Sequence, residues 1–293
     1  MTALADLQRL AALVDVSRSD IERATIDGGL PRWLYEHWYL KPGEGFPSDG
    51  VLPPYDGLGN ALNAVADAAT DWDTDWIALS IGDDGSCLAG YQTGQRVAQL
   101  GRYAGFDRPG LPPVPGERIA LPHLLSWIDG SSGQWAAQSS EPPDGPRVRL
   151  YVNVGAGVVG TVVAALTRWL ATEKIAFSMK CPSTIAGFAR ADALVLYLAE
   201  AEWPKREVEA MSCLESLSYA LRPGYPALTR PLMPGLAFAE DPGNGMSFGE
   251  QRCAILAPAI GALIDQGTDT VAFLVAALSS AGVDSERPWR RPA

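Results

Sequence analysis

The stretch LYVNVGAGVVGTVVAALTRWL, from Leu150 to Leu170, constrains the fold more than any other part of the chain. A β-branched run ends at Gly155, Gly157 and Gly160, and a helix-like apolar period follows, so the segment reads as strand, turn and helix. Glycines at this spacing can form a dinucleotide cradle, in which a helix N-terminus receives a pyrophosphate. Two features favour a plain tight turn instead. The next strand, IAFSMKC, ends in Lys180 and Cys181 where a ribose-binding acid belongs, and no further strand–helix–strand units follow to complete a doubly wound sheet.

Around this unit, RVRLYVNV, IAFSMKC and ADALVLYLA read as strands. TVVAALTRWLATEK, WPKREVEAMSCLESLSYAL, RCAILAPAIGALIDQG and TVAFLVAALSSAG read as helices. Upstream, Thr2 to Thr25 reads as one amphipathic helix and PRWLYEHWYLKP as a short helix packing its aromatics inward. A proline- and glycine-rich loop spans Pro42 to Gly59, then LGNALNAVADAAT reads as a helix. From Trp76 the chain breaks into short β-runs, with DDG as a hairpin signal. Strands and helices do not alternate strictly, so the expected class is α+β: a mixed or antiparallel sheet flanked by helices, with a helical N-terminal part packed on a C-terminal core. SSEPPDGP is the clearest linker. A boundary near Glu141 to Pro146 divides the chain into 1–145, a helical and hairpin region suited to docking a peptide or partner, and 146–293, the functional core.

Composition narrows the function. A formal net charge of −11 argues against generic nucleic-acid binding, so an anionic substrate would need its own basic cluster. The four cysteines (Cys87, Cys181, Cys213, Cys253) form no CxxC pair and read as reduced, mostly buried thiols. His37 and His123 are the only imidazoles, which disfavours a His-rich metal site. No apolar run is long enough to cross a bilayer, and the N-terminus lacks a signal peptide's apolar block, so the expected location is cytoplasmic, with no membrane partner.

The second half concentrates functional residue types. Lys180 ends an apolar strand, and Arg190 and Asp192 precede a strand carrying Tyr197. A loop-rich segment then supplies Arg222, Tyr225, Arg230, Glu240, Asp241, Ser247, Phe248 and Arg252. Each has a structural alternative. Lys180 can be a solvated side chain, Arg230 and Arg252 can pair with Glu240 or Asp241, Tyr197 can be core, and His37 can be a packed histidine.

Four segments in order, RLYVNV, FSMKCP…GFARADALVLYL, LTRPLMPGLAFAEDP and SFGEQRC, resemble the domain named for the Hop-A class of type III secreted effectors, and RWLYEHWYL resembles its N-terminal part more weakly. Relatives in class V lanthipeptide and thioamitide biosynthesis are understood to act as stand-alone phosphoserine/phosphothreonine lyases beside a separate kinase-like protein. The resemblance thus implies a lyase that eliminates phosphate from a ribosomal precursor peptide to give dehydroalanine or dehydrobutyrine. Its implied partners are that peptide, through leader and phosphorylated core, and the kinase-like protein. Such an elimination needs an α-proton base, for which a desolvated Lys180 near cations suits. It also needs guanidinium forks on the phosphate, for which Arg190, Arg230, Arg252 and Arg149 are candidates. Asp192, Glu240, Asp241 and Ser247 would orient them, and His37 or Tyr39 would supply any general acid. No metal or organic cofactor is needed. The alternatives are a non-catalytic phosphopeptide-binding or scaffolding subunit, or an effector acting on a host protein.

Overall fold

The N-terminal segment, expected as one helix, forms two: α1 (Ala3–Val16) and α2 (Arg18–Ile26), separated at Ser17, whose φ of −112° and ψ of 24° leave the helical region. The break lets Leu7, Leu10, Val14 and Ile21 all face one core. The computed structural model describes residues 3–41, 57–68, 71–91, 94–108, 111–266 and 270–292; the loop read at Pro42 to Gly59 lies, up to position 56, outside the described residues. The aromatic segment forms α3 (Leu30–Leu34), which has Pro31 in its first turn and continues as a π-helical turn, Tyr35–Tyr39. Then follow α4 (Leu58–Ala68) and the strands β1 (Trp72–Ile81), β2 (Cys87–Tyr91), β3 (Gly94–Ala98), β4 (Ala104–Gly105), β5 (Arg118–Pro122), β6 (Leu125–Asp129), β7 (Gln134–Gln138) and β8 (Arg147–Val152). The remainder is α5 (Val159–Thr172), β9 (Phe177–Pro182), β10 (Leu194–Ala199), α6 (Trp203–Glu215), β11 (Arg230–Met233), β12 (Leu236–Glu240), α7 (Phe248–Gln266) and α8 (Thr270–Ser280).

The fold is α+β with antiparallel strands flanked by helices, as expected, but the strands form two sheets and not one. The smaller has the order β3-β2-β1-β5-β4. Its β1–β2 hairpin turns at the expected DDG, where Gly85 adopts φ +77°, a conformation that strains residues with a Cβ. The larger has seven strands in the order β11-β12-β8-β10-β9-β7-β6. Both β8 and β9 are antiparallel to β10, which lies between them, so β8–α5–β9 is a split strand–helix–strand unit. β6 and β7 belong to this same sheet, and the loop carrying SSEPPDGP joins β7 to β8 within it. The GAGVVG segment forms the turn between β8 and α5. A Cβ on Gly155 or Gly157 would meet nothing within 4 Å, and Gly160 lies against Val65 of α4.

Strand alternation decides what each face of the large sheet does. Val148, Leu150 and Val152, with Phe177, Met179 and Cys181 and with Leu194, Leu196 and Leu198, join a core that takes in α4, α5 and α6. Each such large side chain contributes about 1.5–3 kcal/mol on burial. The opposite face carries Arg147, Arg149 and Tyr151 on β8, Ser178 and Lys180 on β9, and Val195 and Tyr197 on β10. Helices α1, α2, α3, α7 and α8 cover this face around Tyr151, Val195 and Ala239. The uncovered remainder is where the polar residues gather.

The C-terminal tail is tied to the larger sheet. Arg252, fully buried on α7, donates to the Pro288 carbonyl through Nε (3.0 Å) and Nη2 (2.8 Å), and also to the Arg290 carbonyl. Burial lowers its pKa to about 10, which still leaves it protonated at neutral pH. Arg252→Met should therefore strip buried carbonyls of charged donors and cost about 2–4 kcal/mol, read as a lower urea midpoint. A wild-type midpoint would show that the tail does not depend on this clamp. All four cysteines are free thiols. No helix among the described residues is long and apolar enough to cross a membrane.

Candidate functional site

A cleft of about 840 Å³ opens on the partly covered face of the large sheet. Its floor is Arg149, Tyr151, Lys180, Val195 and Tyr197. One wall is the α3 segment with Tyr35 and Tyr39, and the other is the start of α7 with Ser247, Gly249 and Glu250. Sheet register sets the floor. Lys180 stands opposite Val195, which stands opposite Tyr151; one rung along, Ser178, Tyr197 and Arg149 form the parallel row. The other neighbour of Lys180 is Ala136. Two small flanking residues leave the half-buried amine room in the cleft. Lys180 makes no direct ion pair or hydrogen bond among the described residues.

Arg149 is buried, with Nε donating to Asp241 Oδ2 (3.0 Å) and Nη2 to the Met246 carbonyl (3.2 Å). Its guanidinium carbon lies 5.2 Å from the Tyr197 ring centre. Burial works against the charge, but Tyr151, Tyr197 and Asp241 outweigh it and hold the Arg149 pKa above its ordinary value. Arg190 is built the same way. It forks onto Asp192, with Nη2 to Oδ2 at 2.8 Å, and donates to the Tyr35 hydroxyl at 3.0 Å. Asp192 overcomes the cost of burial and raises the Arg190 pKa as well. Both guanidiniums are thus permanently charged, fixed in direction, and keep Nη1 without a protein partner among the described residues.

Tyr39 and Tyr151 are almost wholly buried against the cleft. Burial, first, pushes both phenols well above their ordinary pKa. Their hydroxyls influence each other, yet neither finds a well-formed hydrogen bond. Tyr39 stacks on Tyr35, with ring centres 5.3 Å apart.

At the start of α7, Ser247 and Glu250 form a capping box. The Ser247 amide donates to Glu250 Oε2 (2.8 Å), and the Glu250 amide donates to Ser247 Oγ (3.2 Å). Burial raises the Glu250 pKa, but the Ser247 bonds and the charges of Lys180 and Arg149 prevail and lower it. A carboxylate with a lowered pKa stabilises the fold above its ordinary range, and loses that contribution as pH falls through its folded-state value. The stability gap between wild type and Glu250→Gln should therefore be present at pH 7 and shrink on acidification below pH ~4.5. A gap that is constant with pH would rule the coupling out.

The expected residues divide clearly. Lys180, Arg149, Arg190, Asp192, Ser247 and Tyr39 line the cleft, and Asp241 sits beside it holding Arg149. Arg230 and Arg252, expected on phosphate, do not reach it. Arg230 stands opposite Phe238, which stands opposite Leu150, so it lies on the other face of the sheet. There it pairs with Glu207 at 2.8 Å and covers the Phe238 ring. Arg252 follows Glu250 by two residues, about 200° round a helix, and turns away from the cleft. His37, expected as an acid, is exposed and stacked on Trp33 with ring centres 4.7 Å apart. Glu240 accepts from the Arg291 amide (2.8 Å) and serves the tail. Tyr35, Tyr151 and Glu250 were not singled out from sequence. Only Glu250 carried a local signal, the Ser-x-x-Glu spacing of a capping box.

A family model described as the HopA1 effector protein family matches residues 134–290, more than half of the 293-residue chain. No curated protein matches. Among solved structures, an effector protein from Pseudomonas syringae pv. tomato strain DC3000 is similar over 90% of both chains, with 16% identity and a TM-score of 0.53. An effector protein from Pseudomonas syringae pv. syringae strain 61 is similar over 100% of this chain and 98% of that one, with 15% identity and a TM-score of 0.54. At these identities the likeness is one of fold.

Proposed function

Taking as premise that the chain belongs to the HopA1 effector protein family, we propose that its cleft binds a phosphorylated serine or threonine of a peptide and eliminates the phosphate. The observation that carries this reading is the convergence of Lys180, Arg149 and Arg190 on one cleft, each guanidinium anchored by a carboxylate with one nitrogen to spare. In the reaction, the Lys180 nitrogen takes the α-proton on its lone pair. The electron pair left on Cα forms the Cα–Cβ double bond as the Cβ–O bond breaks, and the phosphate departs with the bonding pair. Dehydroalanine or dehydrobutyrine remains. Arg149 and Arg190 hold the phosphate oxygens as negative charge develops on them. The cleft's charges nearly balance, because each arginine has its acid. The guanidiniums therefore act through aimed hydrogen bonds more than through net charge, which suits the leaving group's transition state.

The substrate in this reading is a ribosomal precursor peptide phosphorylated by a separate kinase-like partner, which hands the intermediate over in a complex. Intact-mass spectrometry tests it: phosphopeptide incubated with the protein and that kinase should become about 98 Da lighter, by the mass of phosphoric acid, and release inorganic phosphate. Intact phosphopeptide in the presence of folded protein would overturn the lyase, and tight binding without mass loss would instead favour a scaffolding subunit.

A second reading is favoured by the two similar solved structures, both described as effector proteins. The same cleft would then act on a phosphorylated host protein. A short peptide gene and a kinase-like gene beside this one would favour the biosynthetic role.

A further inference from the structure

The geometry points to a second anion subsite, built on Arg147, in the groove that continues from the cleft along the open sheet face. Resting on the phosphopeptide reading above, it assigns the substrate a second negative charge, a carboxylate or another phosphate, a few residues from the reacting one.

The groove has a volume of about 490 Å³ and shares Arg149, Lys180, Tyr197 and Ser247 with the cleft, so one extended chain can occupy both. Beside Trp127, Ala136, Ala137, Met179, Gly243 and the Asp241 that holds Arg149, it adds three polar side chains that carry no negative charge: Arg147, Gln138 and Ser178. Among the described residues none of these three side chains has a hydrogen-bond or ion-pair partner. Arg147 touches only the Tyr197 ring, with its guanidinium carbon 5.8 Å from the centre, on a ring that Arg149 also approaches. Charge makes the case sharper. The groove is lined by Arg147, Arg149 and Lys180 against Asp241 and Glu250, and Asp241 is committed to Arg149. Arg147 is the groove's guanidinium without a carboxylate partner among the described residues. On a chain of net charge −11 such a spot is local, and an acidic peptide repelled elsewhere is directed to it.

Register gives the spacing. Lys180 is level with Tyr151 two strands away, and Arg147 lies four residues back along β8 from Tyr151. Strand spacing and rise put the Lys180 and Arg147 Cα atoms roughly 17 Å apart. The Arg147 guanidinium is drawn back toward the Tyr197 ring, and an extended peptide advances about 3.3–3.6 Å per residue, so the second anion sits about two to four residues from the first.

The test uses the full-length protein and phosphoserine peptides carrying Asp, a second phosphoserine or Ala three residues to either side. Elimination is followed by mass spectrometry, and affinity independently by fluorescence anisotropy. Wild-type protein should bind the anionic peptides about tenfold more tightly than the Ala peptide. Arg147→Gln should bring that ratio to about one while leaving turnover of the Ala peptide unchanged, and Arg147→Lys should restore part of it. A preference for the second phosphoserine alone would identify phosphate as the anion; a preference shared by Asp would identify any carboxylate or phosphate. No preference in wild type, or the same preference in Arg147→Gln, overturns the subsite. If nothing is eliminated but the Arg147-dependent preference persists, the lyase reading falls and the subsite stands.

Discussion

Lys180→Ala should abolish phosphate elimination, with a loss on the order of 10²–10⁴-fold in rate, while the protein stays folded and still binds phosphopeptide. The side chain is half-buried, flanked by Val195 and Ala136, and has no structural partner among the described residues, so truncation leaves no buried group stranded. Arg149 and Arg190, which hold the phosphate in this reading, are anchored by Asp241 and Asp192 and do not depend on the amine. Affinity and rate should therefore separate. Lys180→Arg sharpens the result, because it keeps a cation at the site but replaces an amine that can serve as a base with a guanidinium that cannot. It should be as inactive as the alanine variant. Turnover at the wild-type rate in either variant would take Lys180 out of the reaction.

Gly249→Ala should have the largest combined effect on stability and rate of any single methyl addition near the cleft. A Cβ at this position would overlap the Tyr39 ring at Cε1, Cζ and Cδ1. Tyr39 cannot yield easily. It is 1% exposed and held between Tyr35 and Phe248, with ring centres 5.3 and 6.3 Å away. Overpacking of this kind costs about 1–3 kcal/mol. The strain also travels: Tyr39 stacks on Tyr35, and Tyr35 accepts the hydrogen bond from Arg190. A displacement near 1 Å in a phosphate-positioning group can lower the rate about 10²-fold. Urea melts and peptide turnover should fall together. Tyr39→Leu should recover stability in the Gly249→Ala background by more than its effect alone predicts. Full stability and rate in Gly249→Ala would mean that the wall is loose.

How much of this was legible in the sequence follows from which signals are local. Within Arg147 to Ser280, β8, α5, β9, β10, α6, α7 and α8 could be read because period-2 and period-3.6 patterns need only their own residues, whereas β11 and β12 fell in the segment read as loop, where prolines and glycines mask two short strands that only pairing with β8 completes. The split of the first helix at Ser17 could not, because apolar spacing continues through it and the bend serves packing against distant helices. LVLYL reads as uniformly apolar, so Tyr197 looked like core. It belongs to the half-covered face, and such a strand has no sharp alternation to display. Arg230 and Arg252 lie close to Asp241 in sequence, but a strand's alternation and a helix's turn send them elsewhere. The bond between Tyr35 and Arg190 spans 155 positions and left no local trace.

The two rungs that carry Lys180, Tyr197 and Arg149 have a consequence for how this protein can fail. A slip of β9 by a single residue would trade the amine for the Met179 or Cys181 side chain, and would drive the charge into the apolar layer beneath α5. No partly shifted ladder keeps a weakened version of the site. Heat or denaturant should extinguish ligand capture at the same point at which the sheet itself comes apart.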